Sequence, residues 1–264
     1  MNLHVDILGS GSRPLVLLHG WAFNSSIWQS LVPHLDRDYR LHLVDLPGHG
    51  RSPPPPADCA LSQVAAAVAA SVPPGCLWMG WSLGGLIALQ VAATLPSTIS
   101  ALLLVATTPR FVEAPDWPHA VSPAVLAAFR QELESEPIRT LGRFIALQVH
   151  GTPDARSVAR SLSKALLAGG LPSGRSLDTA LTWLAETDLR PLLTRVHCPT
   201  RLILGERDTL VPATVLADIR AYCPAWDGVL MCRAGHAPFV TDPAAFARVA
   251  LRETPSVGSI DHGL

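Results

Sequence analysis

The sequence lacks any long apolar run. No stretch approaches the roughly 18 consecutive apolar residues of a membrane-spanning helix, and the first residues show no basic region followed by the apolar segment of a secretory signal. The five cysteines are odd in number and show no paired metal-ligand spacing. We therefore expect a cytoplasmic protein with free thiols, no membrane association and no metal site.

Charged residues are also scarce. They make up 16% of the chain, with a formal net charge of −1, which excludes the basic surface that a general nucleic-acid binder needs. No glycine-rich phosphate loop with a lysine is present, and we expect no cofactor. Hydrophobic residues, by contrast, account for 48% of the 264 residues, enough to bury a substantial core. We expect a chain that folds alone as a monomer.

Short apolar runs bounded by turn residues predict six strands, at 14–18, 40–44, 76–79, 101–105, 201–204 and 228–231. Helical patterns lie between several of them, for example at 61–72 and 83–95. Strands without strict alternation, separated by helices, predict an α/β fold with a mostly parallel sheet covered on both faces. Ligands of such sheets bind at the carboxyl ends of the strands.

The segment 109–189 has a different pattern. Four prolines open it, and helical patterns follow at 123–135, 137–150, 154–168 and 176–186 with no comparable strand signal. We predict a core formed by residues 1–108 and 190–255, a helical cap over 109–189 and a loose C-terminal tail over 256–264.

The clearest chemical signal is a serine between two glycines. Ser82 lies in the string GWSLG at 80–84, after an apolar run and before an apolar helical pattern. A strand that turns sharply into a helix holds such a serine on a strained elbow, with its hydroxyl above the sheet. Gly80 and Gly84 would let the backbone make that turn without a side-chain collision. On this string alone, a glycine-rich turn with an incidental serine is an open alternative.

A serine hydroxyl needs a base to accept its proton and an acid to orient that base. Asp208 and His236 each follow a later predicted strand, which gives the chain order Ser, Asp, His. Taken alone, Asp208 fits the cap of a helix over 209–219 better than a catalytic role, and Glu206 is a rival acid two residues earlier. Together the three residues predict a catalytic triad of Ser82, Asp208 and His236.

The negative charge that develops on a substrate carbonyl oxygen needs preorganised donors. The string HGW at 19–21 follows the first predicted strand, so the main-chain N–H of Trp21 is one candidate donor. The N–H of Leu83, at the start of the elbow helix, is the other. The Trp21 ring by itself fits a core aromatic equally well. We expect His19 to brace this loop by hydrogen bonding and the string DLPGHGRS at 45–52 to support the site.

The cap segment carries an excess of positive charge. Residues 137–176 contain six basic residues and one acidic residue. Arg139 and Arg143 are four residues apart, as are Arg156 and Arg160, so each pair shares a helix face. Without a known partner, an ordinary solvated surface with Arg139 partly neutralised by Glu136 accounts for the pattern.

Five strings together resemble the α/β-hydrolase superfamily over nearly the whole chain: HGW, DLPGHGRS, GWSLGG at 80–85, GERDTLVP at 205–212 and AGHAPF at 234–239. More narrowly, the tryptophans around the elbow motif, RFIALQ at 143–148 and the string HAPF look like the pimeloyl-acyl carrier protein methyl ester esterases of biotin synthesis. Members of that family remove the methyl group from a pimeloyl chain carried on acyl carrier protein and release methanol.

The resemblance implies an α/β-hydrolase fold with an inserted helical cap and no cofactor. It implies a triad of Ser82, Asp208 and His236, and substrate contacts from Ser82, His236, Trp21 and Leu83. It implies an acyl pocket lined by Phe144, Ile145, Ala146, Leu147 and Gln148. With the resemblance, we favour docking of the acidic acyl carrier protein on Arg139, Arg143, Arg156 and Arg160.

Two alternatives stay open. The same triad could act on another small ester, a lactone or a carbon–carbon bond beside a ketone. The fold could also serve as a ligand receptor or scaffold without catalysis. Dehalogenase or epoxide hydrolase chemistry is disfavoured, because those relatives use a carboxylate at the elbow position that Ser82 occupies.

Overall fold

The computed structural model of the protein describes residues 1–251. One sheet of seven strands runs through its centre, formed by β1 (Val5–Leu8), β2 (Arg13–Leu18), β3 (Tyr39–Val44), β4 (Cys76–Trp81), β5 (Ile99–Val105), β6 (Thr200–Gly205) and β7 (Asp227–Met231). The strand order is β1-β3-β2-β4-β5-β6-β7. Only β1 pairs antiparallel within this sheet, and the other six strands are parallel. Their carboxyl ends therefore meet at one edge, where a site is expected.

Helices cover the sheet and form the cap. They are α1 (Leu61–Ala70), α2 (Leu83–Thr94), α3 (Pro123–Ser135), α4 (Pro137–Gln148), α5 (Ala155–Ala168), α6 (Gly174–Glu186), α7 (Val215–Tyr222), α8 (Pro238–Thr241) and α9 (Pro243–Ala250). Within the described range, no helix is long and apolar enough to cross a bilayer.

The predicted mostly parallel sheet flanked by helices is confirmed, and each of the six predicted strands lies inside an observed one. These strands are recognisable because they are buried on both faces. In β2, for example, Leu15 to Leu18 have no exposed surface. The prediction missed β1, an edge strand whose Ile7 and Leu8 remain largely exposed. An edge strand of four residues lacks the continuous apolar run that identified the others.

The helices α3 to α6 lie between β5 and β6, as one insertion in the sheet. The two connections to this insertion run side by side. The Leu189 N–H donates to the Pro109 carbonyl at 2.9 Å, and Arg110 and Asp188 form an antiparallel β-bridge. The proposed limits of the cap at 109–189 remain a prediction. The predicted tail at 256–264 lies outside the described residues, as does the end of the predicted core.

Candidate active site

Ser82 occupies a sharp turn between β4 and α2. Its φ of 54° and ψ of −117° place a non-glycine residue at positive φ, a conformation that costs energy and is retained mainly at functional sites. A Cβ atom on Gly80 would lie 2.4 Å from the Gly84 carbonyl oxygen, and one on Gly84 would lie 2.4 Å from that of Leu18. The two glycines thus permit the close packing of strand, turn and helix that the sequence predicts.

Asp208 follows β6 and His236 follows β7, and the two side chains meet in the interior. His236 Nδ1 lies 2.7 Å from Asp208 Oδ2. The other carboxylate oxygen accepts N–H groups from Leu210 and Val211, at 2.8 and 3.0 Å. Asp208 therefore anchors its own turn rather than capping α7, which begins at Val215. Both side chains are almost fully buried.

The rival acid Glu206 points elsewhere. Its Oε2 accepts the main-chain N–H of Arg233 at 2.7 Å, on the exposed side of the turn. An ionised carboxylate only accepts hydrogen bonds, so the contact with Asp208 puts a proton on Nδ1 of His236 and leaves Nε2 as an acceptor. That is the tautomer a base for a serine hydroxyl requires.

Ser82 and His236 line the same pocket. Within residues 1–251 the Ser82 hydroxyl makes no hydrogen bond, so it is not engaged with the His236 ring in this conformation. Contacts of this type are often long or misaligned without substrate and tighten in the reactive complex. The Ser82 backbone is fixed: its N–H donates to the Val105 carbonyl at 2.9 Å, and the Thr107 hydroxyl donates to its carbonyl.

The two predicted oxyanion donors flank the serine. Leu83 is the first residue of α2, so its N–H has no partner within the helix. Trp21 follows β2, the strand next to β4, and in the described chain its N–H takes part in no turn hydrogen bond. The indole N–H of Trp21 donates to the Leu177 carbonyl of α6 at 2.9 Å. The ring therefore links the core to the cap while its backbone stays free for a ligand.

His19 braces the loop of residues 19–21, the predicted oxyanion loop, by hydrogen bonding, as expected. Its Nδ1 lies 2.8 Å from the Gly20 carbonyl, and its Nε2 accepts the Leu46 N–H at 2.9 Å. Complete burial lowers the pKa of His19 to about 4. For Asp45, burial alone would raise the pKa, but N–H groups from Arg51 and Ser25 hold it below its usual value. These neutral and ionised groups form a fixed support below the loop.

An apolar pocket of about 80 Å³ opens above Ser82 beneath the cap. Two of the five predicted acyl-pocket residues line it, Phe144 and Leu147. Phe144 and Leu147 are three residues apart on α4 and therefore share the face toward the pocket. Ile145 faces the core, and Ala146 faces solvent. Gln148 is buried behind the pocket. The roles of all five in acyl binding remain a prediction.

The other apolar walls come from residues that sequence reasoning did not single out. They are Phe111, Val121, Val125, Leu126, Phe129, Leu181, Leu184 and Leu210. The signal that could have found several of them is the helical spacing of apolar residues in α3 and α6. That spacing indicates an apolar face but not whether it meets the core or a ligand.

The end of α4 holds the loop of His236. The Gln148 carbonyl accepts the His236 N–H at 3.0 Å, and the His236 carbonyl accepts the Trp81 indole N–H at 2.7 Å. A Cβ atom on Gly235 would lie 2.2 Å from the Gln148 oxygen, so the loop approaches the helix as closely as a glycine allows. The buried Gln148 amide has no hydrogen-bond partner among the described residues.

The four cap arginines are exposed. Arg139 pairs with Glu136 at 2.8 Å, as the sequence suggested, and Arg143 pairs with Glu132 of α3. Arg156 and Arg160 on α5 form no ion pair with any residue in the described part of the chain. Of these four guanidinium groups, two are thus paired with carboxylates and two have no ion pair among residues 1–251.

No cluster of three or more potential metal ligands exists among residues 1–251. A larger cavity, of about 630 Å³, lies at the amino ends of β6 and β7. It is at the opposite edge of the sheet from Ser82, which follows the carboxyl end of β4. The pocket at Ser82 is therefore the one that combines strained backbone, a buried acid–base pair and an apolar lining.

The sheet order, the serine elbow and the Asp208–His236 pair define a protein of the α/β-hydrolase class. A family profile described as the alpha/beta hydrolase fold matches residues 13–243. The chain belongs to this family and, within it, to the family of the pimeloyl-[acyl-carrier protein] methyl ester esterases. The fold predicted from the sequence is confirmed.

Two curated relatives carry that esterase name. The protein of Klebsiella pneumoniae is 43% identical over 244 residues, which cover 92% of this chain and 94% of the relative. The protein of Xanthomonas axonopodis pv. citri is 45% identical over 238 residues, or 90% and 93% of the two chains. Among solved structures, the bromoperoxidase of Bacillus anthracis superimposes with a TM-score of 0.84 over 94% of this chain and 93% of its own. At 21% identity, that likeness concerns the fold alone.

Proposed function

We propose that this protein hydrolyses the methyl ester of pimeloyl-acyl carrier protein to the free carboxylate and methanol, a step of biotin synthesis. The observation that carries the proposal is the buried Asp208–His236 pair, at 2.7 Å between Nδ1 and Oδ2, whose imidazole lines the same pocket as Ser82. Relatives at 43% and 45% identity with this named activity support the choice of substrate.

In the proposed mechanism, Ser82 Oγ attacks the ester carbonyl carbon while His236 Nε2 accepts the hydroxyl proton. Asp208 stabilises the imidazolium that forms, without accepting the proton itself. The N–H groups of Trp21 and Leu83 bind the developing oxyanion. The carbon–oxygen bond to the alcohol then breaks, and His236 protonates the departing methoxide to methanol.

Water completes the cycle. His236 Nε2, again neutral, accepts a proton from a water molecule that attacks the acyl group on Ser82. A second tetrahedral intermediate collapses, His236 returns the proton to Ser82 Oγ, and the free carboxylate leaves. The apolar lining of Phe144 and Leu147 fits the methylene groups of a pimeloyl chain, since burial of a methylene group contributes about 0.8 kcal/mol.

The proposal extends to the partner. We infer that acyl carrier protein, which is acidic, docks on the exposed face of α4 and α5 through Arg139, Arg143, Arg156 and Arg160. Opposite charges across such a contact mainly raise the rate of encounter and fix the register. The proposed setting is the cytoplasm and the proposed state is a monomer, which suits the free thiols of the cysteines.

The decisive experiment compares pimeloyl methyl ester attached to acyl carrier protein with the unattached ester. The wild type should release methanol from both and favour the attached form. Ser82→Ala should lose at least about 10³-fold in kcat on both, whereas Ser135→Ala, a change at an exposed serine of α3, should match the wild type.

Two results would overturn the proposal. Full activity of a pure Ser82→Ala protein would exclude the serine mechanism. Turnover of lactones or of carbon–carbon substrates, without turnover of either methyl ester, would leave the triad but assign another reaction. Labelling of Ser82 by a fluorophosphonate would distinguish either enzyme, the methyl esterase or one with another substrate, from a receptor or scaffold that has no reactive serine.

A further inference from the structure

Asp208 is flanked in the chain by two exposed residues whose side chains both bind the end of α4. Arg207 Nη1 donates to the Gly151 carbonyl at 2.6 Å, and Thr209 Oγ1 donates to the Leu147 carbonyl at 3.2 Å. Neither Arg207 nor Thr209 lines the apolar pocket. The turn that carries the acid is therefore attached to the cap on both sides of Asp208, by groups that lie outside the pocket.

The base is held at the same place. The Gln148 carbonyl accepts the His236 N–H at 3.0 Å. Leu147 and Gln148 are the last two residues of α4, and the last carbonyls of a helix have no N–H partner within it. The end of α4 thus binds the acid turn and the base loop together, so the alignment of Asp208 with His236 depends on this helix as well as on the two loops.

The Arg207 side chain lies closely against the turn that follows α4. Gly151 has a φ of 70°, and a Cβ atom on it would lie 3.7 Å from Arg207 Cδ and 3.8 Å from Nη1. Arg207 forms no ion pair with any residue from 1 to 251, so its guanidinium binds the Gly151 carbonyl instead of a carboxylate. A positive charge near the carboxyl end of a helix is favoured by the helix dipole.

We propose that Arg207 is a positioning residue that, together with Thr209, holds the Asp208 turn on the end of α4 and so keeps the His236 imidazole aligned with Ser82. This inference rests on the proposed function. Arg207 does not contact the reacting atoms and acts through Asp208, its neighbour in the chain. A displacement of about 1 Å caused by a change far from the chemistry can lower a rate by about 100-fold, so a bond at the edge of this turn affects the chemical step.

Hydrolysis of dimethyl pimelate tests this role. The ester is uncharged, so Arg207 cannot attract it by charge. Arg207→Ala should lower kcat by about tenfold and keep KM within about twofold of the wild type. Arg207→Lys should recover most of the lost kcat, because a single carbonyl requires only one N–H donor. Thr209→Val, which removes only the hydroxyl group and keeps the branched shape, should also lower kcat.

The matched control is Arg37→Ala, the same change at an exposed arginine whose side chain makes no hydrogen bond within the described chain. Its kcat and KM should equal those of the wild type. Arg207 and Thr209 are exposed, so thermal unfolding of their variants should stay close to that of the wild type. If Arg207→Ala nevertheless fails to fold, Thr209→Val decides.

Combination with His236→Ala distinguishes positioning from a general loosening of the site. If Arg207 acts through the imidazole, Arg207→Ala should not lower the residual kcat of the His236→Ala protein any further, because groups that act as a unit are not additive. The rate of Ser82 labelling by a fluorophosphonate is a second readout that does not depend on the ester. It should fall by about tenfold in Arg207→Ala.

The outcomes separate this inference from the proposed function. If neither dimethyl pimelate nor the carrier-bound ester is hydrolysed, the proposed function fails, and the labelling rate still tests Arg207. Wild-type kcat and labelling in Arg207→Ala, or a loss that persists in the His236→Ala protein, would overturn the positioning role alone. A raised KM for carrier-bound ester with unchanged kcat would also overturn it and would make Arg207 a docking residue.

Discussion

Two histidines below the oxyanion loop are buried in the neutral form. His19 Nε2 accepts a main-chain N–H, so a proton on that nitrogen would remove a hydrogen bond and bury a charge. His49 packs with its ring centroid 5.4 Å from that of His19. Burial, together with the nearby His19, lowers the pKa of His49 to about 3. Both histidines must remain neutral for the loop to keep its shape.

This burial predicts a loss of stability in acid. In the unfolded chain both histidines titrate near pH 6.5, whereas in the folded protein the pKa is about 4 for His19 and about 3 for His49. Below pH 6.5 the unfolded state binds more protons, so the free energy of unfolding should fall from pH 6.5 toward pH 4. The His19 share of this loss is roughly 3 kcal/mol.

Urea denaturation at several pH values measures the effect. His49→Gln should lower stability at pH 7 but reduce its dependence on pH below 6.5, because one of the two titrating groups is gone. His34→Gln, a change at an exposed histidine, is the control and should keep the wild-type slope. A slope unchanged in His49→Gln would contradict the prediction.

The residues of the candidate site whose role depends on a particular side chain could be predicted from the sequence. Ser82, Asp208 and His236 stand in recognisable strings because each string combines a reactive group with the small residues that its turn requires. The contribution of Gln148 was not predictable in the same way. Its carbonyl positions His236, and any residue at that position would present a carbonyl.

At the scale of elements, α4 combines three features along its length. Arg139 and Arg143 lie on its exposed face, Phe144 and Leu147 line the pocket, and the carbonyl of its last residue, Gln148, holds the His236 loop. A carrier protein seated on the arginines would therefore rest on the helix that also lines the apolar pocket.

The free arginines of α5 provide the cleaner test of docking. Arg156→Glu with Arg160→Glu disrupts no ion pair within the described chain, whereas changes at Arg139 or Arg143 would release Glu136 or Glu132. The double reversal should raise KM for carrier-bound ester by about tenfold or more at low salt and spare the free ester. The effect should shrink as ionic strength rises, because salt screens exposed charges.

A matched control reverses the same charge elsewhere. Arg37→Glu with Arg195→Glu alters two exposed arginines outside the cap helices. This variant should keep the wild-type KM for carrier-bound ester. Equal increases in KM for the two double variants, or an equal increase on free ester, would remove the docking surface from the proposal.

Prediction of the elements from sequence depended on how each is buried. The helices α3 and α5 were predicted to within one residue. Pro123 begins α3, Asp154 precedes α5, and apolar residues repeat along one face of each helix. The alternative in which Asp208 caps a helix over 209–219 is wrong, because α7 begins at Val215 and Asp208 binds the N–H groups of its own turn. Local pattern does not reveal a carboxylate already engaged by His236.

Across the whole molecule, a charged cluster joins the two connections that lead into and out of the inserted helices. Arg190 donates from Nε and Nη2 to the Asp188 carboxylate, and its Nη1 lies 2.9 Å from Asp116. Arg110 also pairs with Asp188, at 2.8 Å. Burial alone would raise the pKa of Asp188, but these guanidinium donors outweigh it and bring the pKa to about 2. The cluster fixes both connections of the insertion at one point.

Removal of this carboxylate should weaken the whole structure. Asp188→Asn leaves the mostly buried Arg190 without its main counter-charge, so the free energy of unfolding should fall by about 1–3 kcal/mol. Asp178→Asn is the matched control, because its partner Arg130 and Asp178 itself are well exposed. It should cost less than about 1 kcal/mol. Urea denaturation measures the free energy of unfolding of both variants. Equal losses of this free energy would show that the cluster contributes no more to stability than an exposed ion pair.

The contact between the Gln148 carbonyl and the His236 N–H bears on attempts to redesign this enzyme. A cap transplanted from a distant homologue would bring new pocket walls, yet it would also have to end its second helix with a carbonyl at the same point. A chimera that misses this alignment would keep every side chain of the proposed triad and still orient the imidazole of His236 wrongly. Grafts designed for longer or shorter acyl chains should therefore preserve the junction at residues 148 and 236 as one unit.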